Sequence, residues 1–303
     1  MTHDAKKTIR IGGRGSKLSR WQLQEAQEAL QKAWPRVNFT IEIRQTTGDR
    51  DTQSPLPEIG GKGVFTAELE QALLQGDIDL AVHSQKDLPI QNPPGLCIGA
   101  LLTRGPAADA LVSAQGYTLD TLPKNATIGT SSTRRKAQLL HIRPDLQILN
   151  LRGNVDTRLK KSLEFDGIIV AYAGLLRLGL QDRVSQILPL ETFLPAPAQG
   201  AIAIQCRQDQ NLLELLKPIH DVSTERCTSA ERAFLEGLGG GCSLPISAFA
   251  SIESDQIKLR VQVLKSDGSA KIEKELGGSD PHDLGHRLAQ ACILEGANEY
   301  IGG

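Results

Sequence analysis

Along the chain, short apolar runs alternate with amphipathic stretches, a pattern that predicts strands interleaved with helices. Residues 8–12 read as a strand. Gly13-Arg14-Gly15-Ser16 follows, then an amphipathic helix over about 18–34 with Leu18, Trp21, Ala26, Leu30 and Ala33 near one face. Pro35 stops that helix, and Val37, Phe39, Ile41 and Ile43 alternate as the next strand. A strand–helix–strand unit of this kind predicts two parallel strands. A long stretch rich in Gly, Pro and charge covers 46–63 and reads as a lid or loop. A helix is predicted over 64–75, with Phe65, Leu69 and Leu73 on one face and Gly76 as its stop. Ile78, Leu80 and Val82 then alternate as a strand that ends in His83-Ser84-Gln85-Lys86-Asp87-Leu88-Pro89, and 97–102 reads as another buried strand.

The same grammar repeats in the middle of the chain. A strand at 126–129 leads into Thr130-Ser131-Ser132-Thr133-Arg134-Arg135, which opens a helix to about 142. A strand at 146–151 ends in Arg152-Gly153-Asn154, and the helix after it carries Arg158. A strand at 167–172 leads to Ala173-Gly174-Leu175-Leu176-Arg177. Residues 193–200 read as a crossover, and the apolar run 201–206 is short enough to return as a strand to the first lobe; two such crossings make a hinge pair. From about 220 the character changes. A helix at 224–238 ends in Gly239-Gly240-Gly241-Cys242, a strictly alternating hairpin pairs 257–263 with 271–276 around Asp267-Gly268, and a helix at 281–300 closes the chain.

Length and composition bound this picture. At 303 residues the chain exceeds what one core supports, so two or three domains are expected. A net charge of −1 gives no global attraction to nucleic acid or an anionic membrane, and any cationic site must be local. No stretch approaches the ~18 apolar residues of a membrane span, and the polar start has no signal core. Five cysteines without a C-x-x-C pair argue against a disulfide framework and a zinc site, and point to a reducing cytoplasm. The histidines show no ligand spacing, so no catalytic metal is expected.

Candidate chemistry collects at strand ends, where open α/β sheets bind ligands. Lys86 and Asp87 stand together after one strand. The glycines at 13 and 15 do not complete a dinucleotide fingerprint, because its last position is Leu18. What remains is a helix start with Arg14 and Ser16. It reads equally as an anion seat or as an N-cap beside a surface charge. Arg134, Arg135, Arg152, Arg158 and Arg177 share one topological edge, more guanidinium forks than a single carboxylate needs, so the expected ligand is a polyanion. Three glycines before Cys242 let a bulky group approach its sulfur, though a lone cysteine also reads as an inert core residue. Cys97, Cys206 and Cys292 lie in apolar runs and read as core.

These pieces in this order resemble the porphobilinogen deaminase, or hydroxymethylbilane synthase, family over nearly the whole chain. The matching stretches are Gly60-Gly61-Lys62-Gly63, Ala81-Val82-His83-Ser84-Gln85-Lys86-Asp87, Gly129-Thr130-Ser131-Ser132-Thr133-Arg134-Arg135 and Leu151-Arg152-Gly153-Asn154-Val155. Thr157-Arg158, Ala173-Gly174-Leu175, Gln199-Gly200 and Gly240-Gly241-Cys242 match as well. The resemblance implies an α/β fold of two lobes like type II periplasmic binding proteins, joined by a hinge, plus a small α+β C-terminal domain. Its boundaries are expected at 1–103 with 196–219, 104–195, and 220–303. It further implies a cytoplasmic, monomeric transferase of porphyrin biosynthesis that joins four porphobilinogen units head to tail, releasing ammonia, into hydroxymethylbilane. A dipyrromethane cofactor would be held on Cys242 by a thioether, with Lys86, Ser132, Arg134, Arg135 and Arg158 binding it. Asp87 would be catalytic, and Arg14, Ser16, Arg152, Arg177 and Gln199 would bind substrate. No metal, nucleic acid or membrane is implied. Gly13, Glu58 and Pro197-Ala198 depart from the family's usual residues. The alternatives are a periplasmic-type binding module, against which the Gly-Gly-Gly-Cys loop and the missing export signal speak, and a nucleotide-dependent enzyme, against which Leu18 speaks.

Overall fold

The computed structural model describes residues 8–44, 66–240 and 244–301. Contacts divide the chain into two units. One holds Met1–Arg104 and Ala201–Thr224, the other Gly105–Gly200 and Glu225–Gly303.

The first unit is built on a five-stranded sheet of β1 (Thr8–Arg14), β2 (Asn38–Arg44), β3 (Leu80–Ser84), β4 (Leu96–Leu101) and β10 (Ile202–Arg207), in the order β2-β1-β3-β10-β4. β1 is parallel to β2 and β3, as the strand–helix–strand pattern predicts. The returning strand β10 inserts antiparallel between β3 and β4. Helix α1 (Lys17–Ala33) packs Leu23, Ala26 and Leu30 onto Ile9, Ile11, Leu80, Val82, Ile202 and Ile204. Helix α2 (Ala67–Gln75) packs Leu69, Ala72 and Leu73 against Ile78 and Ala81. Alternate residues of β3 thus enter different cores, and so the strand is apolar on both faces. Gly13 also has a packing reason: a Cβ there would lie 2.8 Å from Leu23 side-chain carbons, so the Leu23 side chain takes the space a larger residue would need.

The second unit repeats the plan. Its sheet contains β5 (Asp109–Val112), β6 (Thr127–Gly129), β7 (Gln147–Leu149), β8 (Gly167–Ala171) and β9 (Gln186–Ile187), in the order β7-β6-β8-β5-β9. β6, β7 and β8 are mutually parallel, and β5 runs antiparallel to β8. Helices α3 (Thr133–Ile142), α4 (Val155–Lys161) and α5 (Tyr172–Arg177) follow the three parallel strands. In the first unit, α6 (Gln210–Leu216) adds Leu212 and Leu216 to the α1-side core.

The C-terminal part is an antiparallel meander of β11 (Ile246–Glu253), β12 (Gln256–Leu264) and β13 (Lys271–Gly278). Its core joins Ala230 and Phe234 of α7 (Val222–Gly237), Val261 and Val263 of β12, and Leu284 and Leu288 of α8 (Pro281–Leu294). The architecture is therefore mixed α/β in two lobes with a small α+β part. No described helix is long and apolar enough to cross a membrane.

Some features differ from the pattern-based expectation. β5, β9, β11 and α6 went unpredicted. β5 is four buried residues without alternation and β9 only two residues, too short for a periodic signal. The predicted helix over 281–300 is broken at Gly296, whose φ of 94° ends α8 before α9 (Ala297–Ile301) begins. By contacts, the unit boundaries fall at 104/105, 200/201 and 224/225, and residues 225–303 group with 105–200. Residues 196–200 lie with the second unit because Gln199 donates to the Ala107 carbonyl and Ala198 N–H to Glu231. Residues 220–224 lie with the first because Leu101 N–H donates to His220 and Thr103 to Asp221.

One glycine tests the packing of the C-terminal part. A Cβ on Gly285 of α8 would lie 2.6 Å from the Ala230 carbonyl oxygen and the Ala233 Cβ of α7, where little can give way. Gly285→Ala is expected to destabilise the protein by about 1–3 kcal/mol, the usual cost of overpacking, read as a lowered thermal midpoint.

Candidate active site

In the first unit, the adjacent parallel strands β1 and β3 deliver their carboxyl ends to the same sheet edge, with Gly12 opposite Ala81 in register. β1 ends at the half-buried Arg14. Ser16 is the N-cap of α1, its Oγ accepting from Ser19 N–H at 3.3 Å. That capping bond uses an acceptor lone pair and leaves the hydroxyl proton able to donate, so the cap is compatible with an anion seat. After β3 the chain makes a 3-10 turn at Gln85–Asp87. Gln85 and Leu88 are buried, Lys86 is half-buried and Asp87 is exposed, so the turn is anchored on both sides of its carboxylate. Gln85 N–H donates to the Ala201 carbonyl at 3.0 Å, which ties the turn to the start of β10. Gln22 of α1 donates to Ser84 Oγ at 2.8 Å and holds the end of β3.

His83 lies just before that turn, 6% exposed, and its Nε2 has no hydrogen-bond partner among the described residues. Burial pushes the imidazole down from its ordinary 6.5 to about 4; the Gln205 side chain pulls the other way and the Arg14 charge adds to the lowering. At neutral pH this is an uncharged, enclosed histidine that shapes the strand end.

In the second unit the parallel strands β6, β7 and β8 end at one edge, and the loops and helices that follow them carry the predicted cationic residues. Ser132 caps α3, accepting from Arg135 N–H at 3.4 Å. Arg152 stands half-buried after β7. Arg158 is also half-buried and donates from Nε to the Gly153 carbonyl at 2.8 Å, folding back onto the loop ahead of its own helix. Arg177 at the end of α5 donates to the Gly200 carbonyl at 2.7 Å.

Arg134 and Arg135 are the most enclosed of the set, 4% and 5% exposed. Both reach Asp109, a residue the pattern analysis did not single out. Arg134 Nη2 donates to Oδ2 at 2.7 Å and Arg135 Nη2 to Oδ1 at 2.6 Å. Each guanidinium also donates from Nη1 to a carbonyl, Arg134 to Leu194 at 2.7 Å and Arg135 to Ile169 at 3.0 Å. The fully buried Gln199 donates to Asp109 Oδ1 at 2.9 Å and to the Ala107 carbonyl at 2.7 Å. Burial alone would raise the Asp109 carboxyl, but the two guanidiniums outweigh it and hold the acid well below the usual carboxylate range. One carboxylate faces two guanidiniums, so the group keeps one positive charge. The Nε atoms of both arginines are buried without a hydrogen-bond partner. This is a fixed cationic seat with N–H donors to spare.

The structure thus places Arg14, Ser16, Lys86 and Asp87 at one edge of the first unit's sheet, and Ser132, Arg134, Arg135, Arg152, Arg158, Arg177 and Gln199 around one edge of the second's. Cys242, the lid over 46–63 and Glu58 lie outside the described residues. The signal that could have found Asp109 is an acid inside the apolar run Ala107-Ala108-Asp109-Ala110-Leu111-Val112. Among the described residues no group of three or more His, Cys, Asp or Glu side chains could hold a metal ion.

Comparison with known proteins adds to this geometry. Residues 9–214 match the family model described as porphobilinogen deaminase, dipyromethane cofactor binding domain, and residues 225–293 match porphobilinogen deaminase, C-terminal domain. The porphobilinogen deaminase of Carboxydothermus hydrogenoformans is 44% identical over 301 residues, covering 98% of this chain and 97% of that one. That of Moorella thermoacetica is 46% identical over 299 residues, covering 97% and 95%. Among solved structures, the cofactor-binding domain of the Cbl transcriptional regulator superposes with a TM-score of 0.45 at 14% identity, over 74% of this chain and 93% of that one.

The buried histidine makes a pH prediction. Its folded-state pKa lies below its unfolded value, so the unfolded chain binds the proton first as pH falls. His83 therefore contributes full stability above its ordinary 6.5 and loses it progressively toward about 4, by up to about 1.4 kcal/mol per pH unit. Thermal melts across that window should show a shallower acid-side loss for His83→Gln than for the unaltered protein.

Proposed function

The chain belongs to the porphobilinogen deaminase family, and we propose on that premise that Asp87 is its catalytic acid–base group and that the arginines of the second unit are its carboxylate seats. The protein is a transferase of tetrapyrrole biosynthesis that joins porphobilinogen units head to tail. Its cofactor is dipyrromethane. The finer reading is that four units are condensed with release of ammonia and that the last linkage is hydrolysed, giving hydroxymethylbilane. The observation that carries the site assignment is the convergence of Arg134, Arg135, Arg152, Arg158 and Arg177 on the edge where three parallel strands end. A chain of pyrroles bearing acetate and propionate groups is a polyanion, and guanidinium forks bind carboxylates with two parallel donors.

Each cycle must release ammonia from the aminomethyl group of porphobilinogen and stabilise the positive charge left on its methylene carbon. Asp87 is exposed at the tip of an anchored turn, so its carboxylate can serve the departing amine and then face that cation. It is also the base for the proton lost when pyrrole aromaticity is restored. Lys86 on the same turn, with Arg14 and Ser16 on the neighbouring strand end, supplies charge and donors for substrate carboxylates. In the second unit, Arg152 and Arg177 hold substrate carboxylates as the chain lengthens; the expected substrate contact of Gln199 gives way to a supporting role, because its buried amide already donates to Asp109 and to the Ala107 carbonyl.

The residues fit an acidic pyrrole group. Asp109 balances only one of the two buried guanidiniums, and the orphaned Nε atoms of Arg134 and Arg135 leave donors for a further anion. Arg134, Arg135, Arg158, Ser132 and Lys86 would hold the dipyrromethane, with Cys242 as its thioether anchor. When bound, that group supplies a nucleophilic pyrrole carbon to which substrate units are added. The reading carries with it lobe 1 as 1–103 and 196–219, lobe 2 as 104–195 and the cofactor-bearing domain as 220–303. It also carries a monomeric, cytoplasmic protein acting on a small molecule, without nucleic-acid or membrane partners.

Intact mass spectrometry of the active protein should give a mass above that of the sequence by a two-pyrrole adduct, mapped by peptide to Cys242. An unmodified Cys242 in active protein would sink the anchor assignment. Asp87→Asn should fold with an unchanged melting profile and lose at least about a hundredfold in ammonia release, within the range for removal of a general acid–base group. Near-normal release would remove Asp87 from its role.

A further inference from the structure

We infer that Asp109 is a positioning residue for the cofactor, holding the Arg134 and Arg135 guanidiniums in fixed planes and setting their shared charge so that one further carboxylate neutralises the group. The inference rests on the reading that those two arginines hold the dipyrromethane, and it adds a residue with no contact of its own to that group.

The geometry is that of a hub. Asp109 is fully buried at the first position of β5. Because β5 runs antiparallel to β8, with Asp109 opposite Ala171, its first residue lies at the edge where the parallel strands finish. Both carboxylate oxygens are engaged, Oδ2 by Arg134, Oδ1 by Arg135 and Gln199. Each guanidinium is pinned at two points, by Asp109 through Nη2 and by a main-chain carbonyl through Nη1. Two directional bonds from different nitrogens of a planar group restrain its orientation, so neither fork can swing without breaking a buried charged hydrogen bond. Arg134 also lies 6.0 Å from the centroid of the Phe193 ring, at the outer reach of a cation–π contact.

The charge count follows from the same contacts. Two cations and one anion leave a single positive charge in a water-poor setting, where an uncompensated ion is costly. Without the Asp109 charge the two guanidiniums would repel each other and turn outward, or draw in solvent anions, and the seat would lose its shape. A second carboxylate hub makes the contrast. In the first unit, Asp79 bridges Arg10, at 3.1 Å, and Arg207, at 3.0 Å. Those arginine side chains are 37% and 28% exposed, and the Arg10 Nε is already spent on Asp79. Asp79 has the connectivity of Asp109 without its enclosed, unspent donors, and it serves as a structural control.

The test uses the full chain purified with its cofactor, scored by intact mass for the cofactor-free share and by an aldehyde colour reaction for protein-bound pyrrole. Asp109→Asn is expected to raise the cofactor-free share by about tenfold, the lower end of what loss of an outer-shell partner does to a bound group. Asp79→Asn, compared at a similar drop in thermal midpoint, should keep the share of the unaltered protein. Asp109→Asn with an unaltered share would overturn the proposal. Arg135→Lys keeps the charge but loses the fork: cofactor loss there, with full retention in Asp109→Asn, refutes Asp109 alone, whereas full retention in both refutes the arginine assignment beneath it. If Asp109→Asn does not fold, Gln199→Met decides, since it removes one donor to Oδ1 and spares the charges. A raised cofactor-free share supports the hub, and an unaltered share overturns it.

Discussion

Two guanidinium groups enclosed around one carboxylate form the constraint on which the second unit depends. Removing such ions from water costs several kcal/mol each, and mutual attraction offsets this only when geometry and further hydrogen bonds are good. Here Arg134 and Arg135 close on Asp109 at 2.7 and 2.6 Å, and Leu194, Ile169 and Gln199 supply further partners, with only the two arginine Nε atoms left over. These contacts tie together the first turn of α3, the start of β5, the chain near 194, the interior of β8 and the loop before β10. None of these segments can shift alone without stranding a buried charge. The same contacts leave the cluster with one positive charge held in a fixed place.

The two units solve the same topological problem in the same way. Each has parallel strands whose carboxyl ends share an edge, and each takes in one antiparallel strand, β10 in the first unit and β5 in the second. The antiparallel strand begins where its parallel neighbours end. Its first residues therefore join the site, as Asp109 does in one unit and as the Ala201 carbonyl does when it accepts from Gln85 in the other. The division of labour is chemical. The first unit offers an exposed carboxylate, Asp87, on a turn held by buried Gln85 and Leu88, beside a histidine that burial keeps neutral. The second offers cations. On the proposed assignment, polymerising an acidic pyrrole calls on both, a single acid for amine and proton and many forks for the carboxylates that accumulate.

Much of this was legible in the residues before any coordinate. Apolar alternation and short apolar runs located β1, β2, β3, β4 and β10 to within a residue or two, and the strand-to-helix junctions put Arg14, Ser16, Ser132, Arg134, Arg135, Arg152, Arg158 and Arg177 after strands. These are local properties, set by side-chain periodicity and by capping chemistry within a few residues. Of the two readings of Ser16, the cap is local as well, its hydroxyl accepting from Ser19 N–H in a bond that is compatible with an anion seat.

Asp109 could not be read in this way. Within the sequence it is an acid in a run of alanines and aliphatics, with nothing nearby to say which charges surround it. Its partners lie 25 and 26 residues away on one side of the chain and, for Gln199, 90 residues away. Short strands such as β5 and β9 carry no period, and the direction in which β5 runs is decided by pairing with β8, not by its own composition. The sequence by itself determined the alternation of elements, the arginine-bearing helix starts and the family. Only the tertiary structure decided which guanidiniums share a counter-ion, because electrostatic partnership inside a protein depends on distance and burial, and both are properties of the folded chain.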